Sequence, residues 1–164
     1  MVPELIAYMQ RLELLAFFAG YPLLFTLVFI GEKVFPHHRT NSFRSLLPAA
    51  YALTATLFII RQVFYASDPF TPTILALKIW AYLAILFWLP ALRTRLFLSI
   101  LHSLVFFGLI VFDIITGFLT PSGRDEIAND MKIITDSFLL NTASLATIAA
   151  AAFIKRCMRR TFNR

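Results

Sequence analysis

Long apolar runs separated by short polar breaks dominate this chain of 164 residues. A helix needs about 20 apolar residues to cross a hydrocarbon core roughly 30 Å thick. Proline, glycine and charged residues punctuate the breaks, as in "EKVFPHHRTNSFR" and "TPSGRDEIAND". The pattern predicts an all-α integral membrane protein, a five-span transmembrane helix bundle with spans at about 12–31, 46–65, 73–92, 96–119 and 131–154.

The segments outside these runs are short, so residues 1–164 are predicted to form a single transmembrane domain. Residues 1–11 place apolar side chains at helical spacing, which indicates either an interfacial helix or an early start to the first span. Residues 155–164 read as a basic cytoplasmic tail that follows the last span.

Composition and charge narrow the class of partner. Hydrophobic residues make up 59% of the chain and phenylalanine alone occurs 18 times, with a mean hydropathy of +0.76. The net charge of +6 would suggest nucleic acid in a soluble protein. Here the basic residues lie mostly between and after apolar runs, so the expected partners are the lipid bilayer and its headgroups, with no nucleic acid.

The distribution of basic residues predicts the orientation. One side of the membrane collects ten of them: Lys33, Arg39, Arg44, Arg93, Arg95, Lys155, Arg156, Arg159, Arg160 and Arg164. By the positive-inside rule this side is cytoplasmic, which places the N-terminus outside and the C-terminus in the cytoplasm. We expect an integral protein of a bacterial inner (plasma) membrane.

Four charged residues fall within the predicted spans at a similar depth. Arg61, Lys78, Asp113 and Asp136 lie within roughly 6 to 10 Å of the same outer boundary, at 1.5 Å per residue. Charges in hydrocarbon are costly unless they pair, hydrate or reach the headgroups. We therefore expect an intramembrane polar cluster, with Arg61 paired to Asp113 as a lock between helices. The alternatives are a solvated ion path, or long side chains that snorkel to the surface while Lys132 pairs locally with Asp136.

His102 precedes Asp113 by eleven residues, close to three helical turns, so both project from nearly one face about 16 Å apart. They are candidates for the two ends of a proton or polar path. Phe106, which lies between them on that face, argues against a continuous path. The favoured interpretation is a buried histidine bonded to a neighbouring helix, with Ser99 or Ser103 nearby.

The fifth predicted span is rich in small residues. Ala143, Thr147 and Ala151 recur every four positions, which predicts a helix-packing seam at a central or subunit-contacting helix. Asn141 lies near the middle of the membrane, where we expect it to hydrogen-bond across that contact or to line a polar path.

No familiar catalytic signature occurs in the sequence, so no catalytic residue is predicted and an enzyme is not expected. His37 and His38 are adjacent but have no further ligands nearby, and Cys157 is the only cysteine. Neither pattern indicates a metal site, haem or another cofactor.

These features predict a non-enzymatic polytopic membrane protein that acts as a subunit or scaffold of a membrane complex, either with other subunits or with itself as a homo-oligomer. The alternative is a small transporter or an ion- or proton-conducting protein that uses the charged cluster. A membrane-embedded, lipid-modifying enzyme is the third hypothesis.

Overall fold

The computed structural model describes residues 2–34, 41–65, 72–119 and 123–162. The histidine pair at positions 37 and 38 lies outside these ranges. Within them the chain is almost entirely helical and contains no strand. The helices, in chain order, are α1 Val2–Phe18, α2 Tyr21–Val34, α3 Asn41–Tyr65, α4 Pro72–Leu83, α5 Pro90–Arg93, α6 Leu96–Leu119 and α7 Gly123–Phe162, with a 3-10 segment at Ala84–Trp88 between α4 and α5.

Within the described ranges, four helical stretches are long and apolar enough to cross a membrane. They are Glu4–Val34, Phe43–Phe64, Leu96–Leu119 and Ile127–Arg159. The segment predicted as the third span contains a shorter apolar helix, Ile74–Trp88. The part of the chain that the structure describes is therefore an apolar helical protein with four stretches able to span a membrane and one shorter apolar helix.

The first long stretch is broken between α1 and α2, at Ala19 and Gly20. Pro22 explains the break, because its ring clashes with the carbonyl of residue 18 in a regular helix and it has no N–H to donate. α1 begins at Val2, so the apolar positions of residues 2–11 belong to the same helix as the start of the predicted first span.

The segment after α4 is irregular for a similar reason. Leu89 precedes Pro90 and is extended, with φ −63° and ψ 132°, because proline disfavours the α conformation of the residue before it. The chain tightens into the 3-10 segment before this point and resumes as α5 after it. One regular helix over 73–92 is thus excluded by a local steric rule.

An aromatic cluster forms the centre of the bundle. The Phe18 ring stacks on Phe106 with centroids 4.9 Å apart and meets Tyr51 and Phe58 edge-on at 5.7 and 5.4 Å. All four side chains are buried. Because they come from α1, α3 and α6, this cluster packs three long helices together, and aromatic pairs of this geometry stabilise a core beyond the area they bury.

Candidate functional site

The polar side chains within the bundle form three groups. The charged layer comprises Arg11, Glu13, Arg61 and Asp113. The histidine node comprises Tyr51, Trp80 and His102. The asparagine node comprises Thr54, Ser137, Asn141 and Ser144.

Within the charged layer, Arg11 binds Asp113. The Arg11 Nη2 atom donates to both carboxylate oxygens, at 2.6 and 2.8 Å. The two side chains are 33% and 25% exposed, so water reaches the pair only in part. Partial burial strengthens the attraction between the charges and makes either one costly to leave alone.

Arg61 binds Glu13, which lies in α1 like Arg11. The Arg61 Nε atom is 2.5 Å from Glu13 Oε1. Residues 11 and 13 are two positions apart, so their side chains leave α1 on nearly opposite sides. One side meets α6 through Asp113, and the other meets α3 through Arg61. The charged layer therefore fixes α1 between two other helices.

The four charged residues predicted to form one cluster do not all meet. Arg61 and Asp113 both contact α1, but Arg61 binds Glu13 and Asp113 binds Arg11, so the expected Arg61–Asp113 pair does not form. Lys78 is buried at 6% exposure. Asp136 is exposed on α7. The position of a residue along its helix gives its depth in the membrane but not the direction of its side chain around the helix axis. The Asp136 side chain faces away from the core.

Sequence reasoning missed Arg11 and Glu13 as members of this layer. Residues 1–11 were expected to form an interfacial helix or an early start to the first span, and Glu13 was not singled out within that span. Their depth could have identified them, because Arg11 and Glu13 lie near the outer end of the first predicted span. Arg61 and Asp113 lie near the outer ends of their own predicted spans. Arg11 and Glu13 at that depth supply partners of opposite charge for Asp113 and Arg61.

His102 lies in the histidine node with both ring nitrogens engaged. Nδ1 is 2.8 Å from the Tyr51 hydroxyl and Nε2 is 2.8 Å from the Trp80 carbonyl oxygen. A carbonyl oxygen can only accept, so Nε2 carries a proton, and in the neutral ring Nδ1 then accepts from the Tyr51 hydroxyl. The hydrogen bonds fix one neutral tautomer.

Trp80 holds the same histidine in two further ways. Its indole ring stacks on the imidazole, with centroids 4.7 Å apart and planes 6° from parallel. Its Nε1 donates to the His102 carbonyl oxygen at 3.1 Å. The Trp80 carbonyl can serve His102 because it lies in the last turn of α4, where helical carbonyls lose their usual donors. The node thus joins α3, α4 and α6.

Buried aromatic packing separates the histidine node from the charged layer. Phe106 lies between His102 and Asp113 on α6 and is fully buried against Phe18. The Ser99 side chain, predicted near His102, instead lies 2.8 Å from the Tyr21 hydroxyl. Ser103 is bonded to the Ile100 carbonyl of its own helix. An apolar barrier on this face does not favour a continuous polar path from His102 to Asp113.

Asn141 is the centre of the asparagine node and is buried at 1% exposure. Its Nδ2 donates to the Phe17 carbonyl at 2.9 Å and to the Ser137 carbonyl at 2.8 Å. Its Oδ1 accepts from the Thr54 hydroxyl at 3.2 Å. Phe17 lies in the last turn of α1, so Asn141 satisfies a carbonyl near the break between α1 and α2.

The backbone of Gly20 lies directly against α7. Its amide donates to the Ser137 hydroxyl at 2.7 Å. A Cβ atom at position 20 would lie 2.2 Å from the Phe138 nitrogen, which no real contact permits. The side of α7 that carries residues 137, 141 and 144 is therefore the face that packs against the other helices.

The predicted packing seam lies on another face of α7. Ala143, Thr147 and Ala151 are all exposed in the single chain. The Thr147 hydroxyl donates to the Ala143 carbonyl four residues earlier, at 2.9 Å. These residues do not form the contact within the chain, and their small side chains remain accessible from outside.

Over the ranges that the structure describes, no three histidine, cysteine or acidic side chains come close enough to hold a metal ion. Cys157 is exposed near the end of α7. The three polar groups join helices through hydrogen bonds and ion pairs, and the Tyr51 hydroxyl that donates to His102 is fully buried. No protein family, curated protein or solved structure matches this chain.

Proposed function

We propose that this chain is a non-enzymatic membrane protein that acts as a subunit or scaffold of a membrane complex. The observation that carries the proposal is that the polar groups within the bundle bind helices to one another. His102 uses both ring nitrogens in such contacts, and Asn141 uses both its amide nitrogen and its oxygen. Polar side chains used in this way stabilise a scaffold.

An exposed face of small residues on α7 supports the same proposal. Of the most apolar part of Ile127–Arg159, 22% is buried within the chain, against 28 to 50% for the other described apolar stretches. Small side chains let a second transmembrane helix approach closely. The partner that we propose for this face is a second copy of the chain or another membrane subunit.

The experiment is a native mass measurement after mild extraction, with Ala143→Leu and Ala151→Leu as test variants. The expected result is an assembly larger than 18.7 kDa that dissociates in the variants, while the melting temperature of the monomer is unchanged because both residues are exposed. Ala146→Leu is the matched control, with the same added volume at an exposed position off the stripe. A wild-type protein that is monomeric under all mild conditions would contradict the proposal.

We further infer five crossings, with the N-terminus outside and the C-terminus cytoplasmic in a bacterial inner membrane. Two arginines support this path: Arg93 at the end of α5 and Arg44 near the start of α3 line one cleft. Residues 72–93 thus run antiparallel to α3. Their helices together have a length of about 35 Å, which is enough for one crossing of a membrane. A reporter fused after residue 164 should read cytoplasmic and one at the N-terminus external; both ends on one side would exclude five crossings.

A small transporter or ion-conducting protein is the second candidate. The charged layer favours it, because the side chains of Arg11 and Asp113 are 33% and 25% exposed and that of Arg61 is 57% exposed, so water reaches these charges. In this case Asp113→Asn would abolish ion flux through the purified protein in liposomes and leave its assembly intact. Wild-type liposomes without flux would exclude this candidate.

A further inference from the structure

A cleft of about 690 Å³ opens between the start of α3 and the turn that joins α5 to α6. One wall carries Arg44, Ser45 and Pro48 of α3, and the other carries Pro90, Arg93 and Thr94. This volume lies within the usual range for sites that bind small molecules. Two separate parts of the chain build the cleft, so its shape depends on the tertiary fold.

Among the described residues that line the cleft, the charge has one sign. Each wall contributes one arginine, and none of these residues carries a carboxylate. Over the parts of the chain described by the structure, neither Arg44 nor Arg93 forms an ion pair or a side-chain hydrogen bond. The planar guanidinium group presents paired donors that match the oxygens of a phosphate. The lining therefore suits an anion with several oxygens.

The position of the cleft indicates where that anion comes from. Arg44 is the second residue of the apolar stretch Phe43–Phe64, and Leu96, which also lines the cleft, opens the stretch Leu96–Leu119. The cleft thus lies where two apolar helices begin together. In a membrane this is the level at which the hydrocarbon ends and the phosphates of the lipids lie.

An apolar cavity of about 210 Å³ borders the same short helix, α5. Leu92 lines it at the α5 end, while Leu98, Leu101 and Trp80 continue its wall along α6 and α4. Leu101 lies nine residues after Leu92 in the chain and within the span that starts at Leu96. Its apolar surface suits an acyl chain and leads from the membrane boundary into the hydrocarbon.

We propose that the basic cleft binds the phosphate of an anionic phospholipid. Arg44 and Arg93 hold the phosphate from opposite walls, and an acyl chain of the same lipid lies in the apolar cavity beside α5. Free phosphate has the same oxygen chemistry but nothing to place in that cavity. This site does not depend on the proposed function as a subunit, because a monomer presents it complete.

The experiment compares the retention of phosphatidylglycerol and phosphatidylcholine by the purified protein, measured by native mass spectrometry. We expect at least fivefold greater retention of the anionic lipid. The variant Arg44→Gln with Arg93→Gln should lose that preference. The control, Arg95→Gln with Arg159→Gln, has the same change in net charge at exposed residues outside the cleft and should keep it.

Two further measurements separate the outcomes. Raising the salt concentration should weaken retention by the unmodified protein, because screening acts on the guanidinium–phosphate contacts. An excess of inorganic phosphate should displace little lipid if the acyl chain contributes. Equal loss of preference in both double variants, salt-independent retention, or full displacement by inorganic phosphate would each overturn the proposal; the last result would indicate a soluble phosphate ligand.

Discussion

Arg11 and Asp113 are 102 positions apart in the chain, yet one guanidinium nitrogen contacts both oxygens of the carboxylate. The pair joins the first helix to α6 at the level where Arg61 meets Glu13 on the other side of α1. Charges within an apolar protein are costly when unpaired. The position of α1 in the bundle is therefore stabilised by its apolar packing and by the part-buried Arg11–Asp113 pair, with a smaller contribution from the exposed Arg61.

The first prediction is a coupling between Arg11 and Asp113. Arg11→Leu and Asp113→Leu should each reduce stability by about 1 to 3 kcal/mol, between the values for exposed and fully buried pairs. The double variant should lose less than the sum of the two. Thermal unfolding in detergent measures the cycle. Additive losses would show that the pair contributes nothing to the fold.

The second prediction concerns Arg61, whose side chain is 57% exposed. Arg61→Leu should cost less than about 1 kcal/mol, because solvent screens the ion pair with Glu13. The same double-mutant analysis should find coupling of Arg61 with Glu13 and none with Asp113. Coupling to Asp113 would restore the pairing expected from depth alone and would contradict the observed contacts.

The third prediction tests the histidine node through the Tyr51 hydroxyl. Tyr51→Phe keeps the ring but leaves Nδ1 of the buried His102 without its donor, so stability should fall by about 1 to 3 kcal/mol. Tyr82→Phe is the matched control, since over the described ranges its hydroxyl makes no hydrogen bond. Thermal unfolding should separate the two variants, and equal effects would show that the hydroxyl of Tyr51 is not needed.

The fourth prediction concerns the close approach of Gly20 to α7. Gly20→Ala should cost more than about 3 kcal/mol, because the new methyl group meets backbone atoms that no side-chain rotation can move aside. Gly108→Ala is the control: its Cβ meets nothing within 4 Å. Alanine favours a helix by up to about 1 kcal/mol over glycine, so this variant should be as stable as the wild type or more so. Similar melting temperatures for both variants would contradict the contact.

The apolar helices were predictable because the thickness of a bilayer sets the length of a spanning helix, and the sequence contains several apolar runs of that length. The level of Arg61 and Asp113 was predictable for the same reason, since each residue advances a helix by a fixed rise. Their partners were not, because rotation about a helix axis is decided by packing with other helices. The irregular end of the third predicted segment could have been read from Pro90, whose effect on Leu89 is local.

The face of α7 was harder to predict. Ala143, Thr147 and Ala151 form a stripe of small residues at the spacing typical of close helix contacts. Ser137, Asn141 and Ser144 form a second stripe on another face of the same helix. The structure turns the polar stripe inward because the break between α1 and α2 presents an amide and a carbonyl that need partners. These backbone groups, at Phe17 and Gly20, lie more than 100 residues from their partners in α7, so the local sequence of α7 does not reveal them.

The break at Ala19 and Gly20 also has a consequence for the order in which the protein is made. The ribosome synthesises α1 and α2 before α7, yet Ser137 and Asn141 of α7 supply the hydrogen bonds at the break. Until α7 enters the membrane, those backbone groups must be satisfied in another way, since lipid offers no partner. The break between α1 and α2 therefore obtains these hydrogen bonds only after α7 has been made, and a chain truncated before residue 137 would lack them.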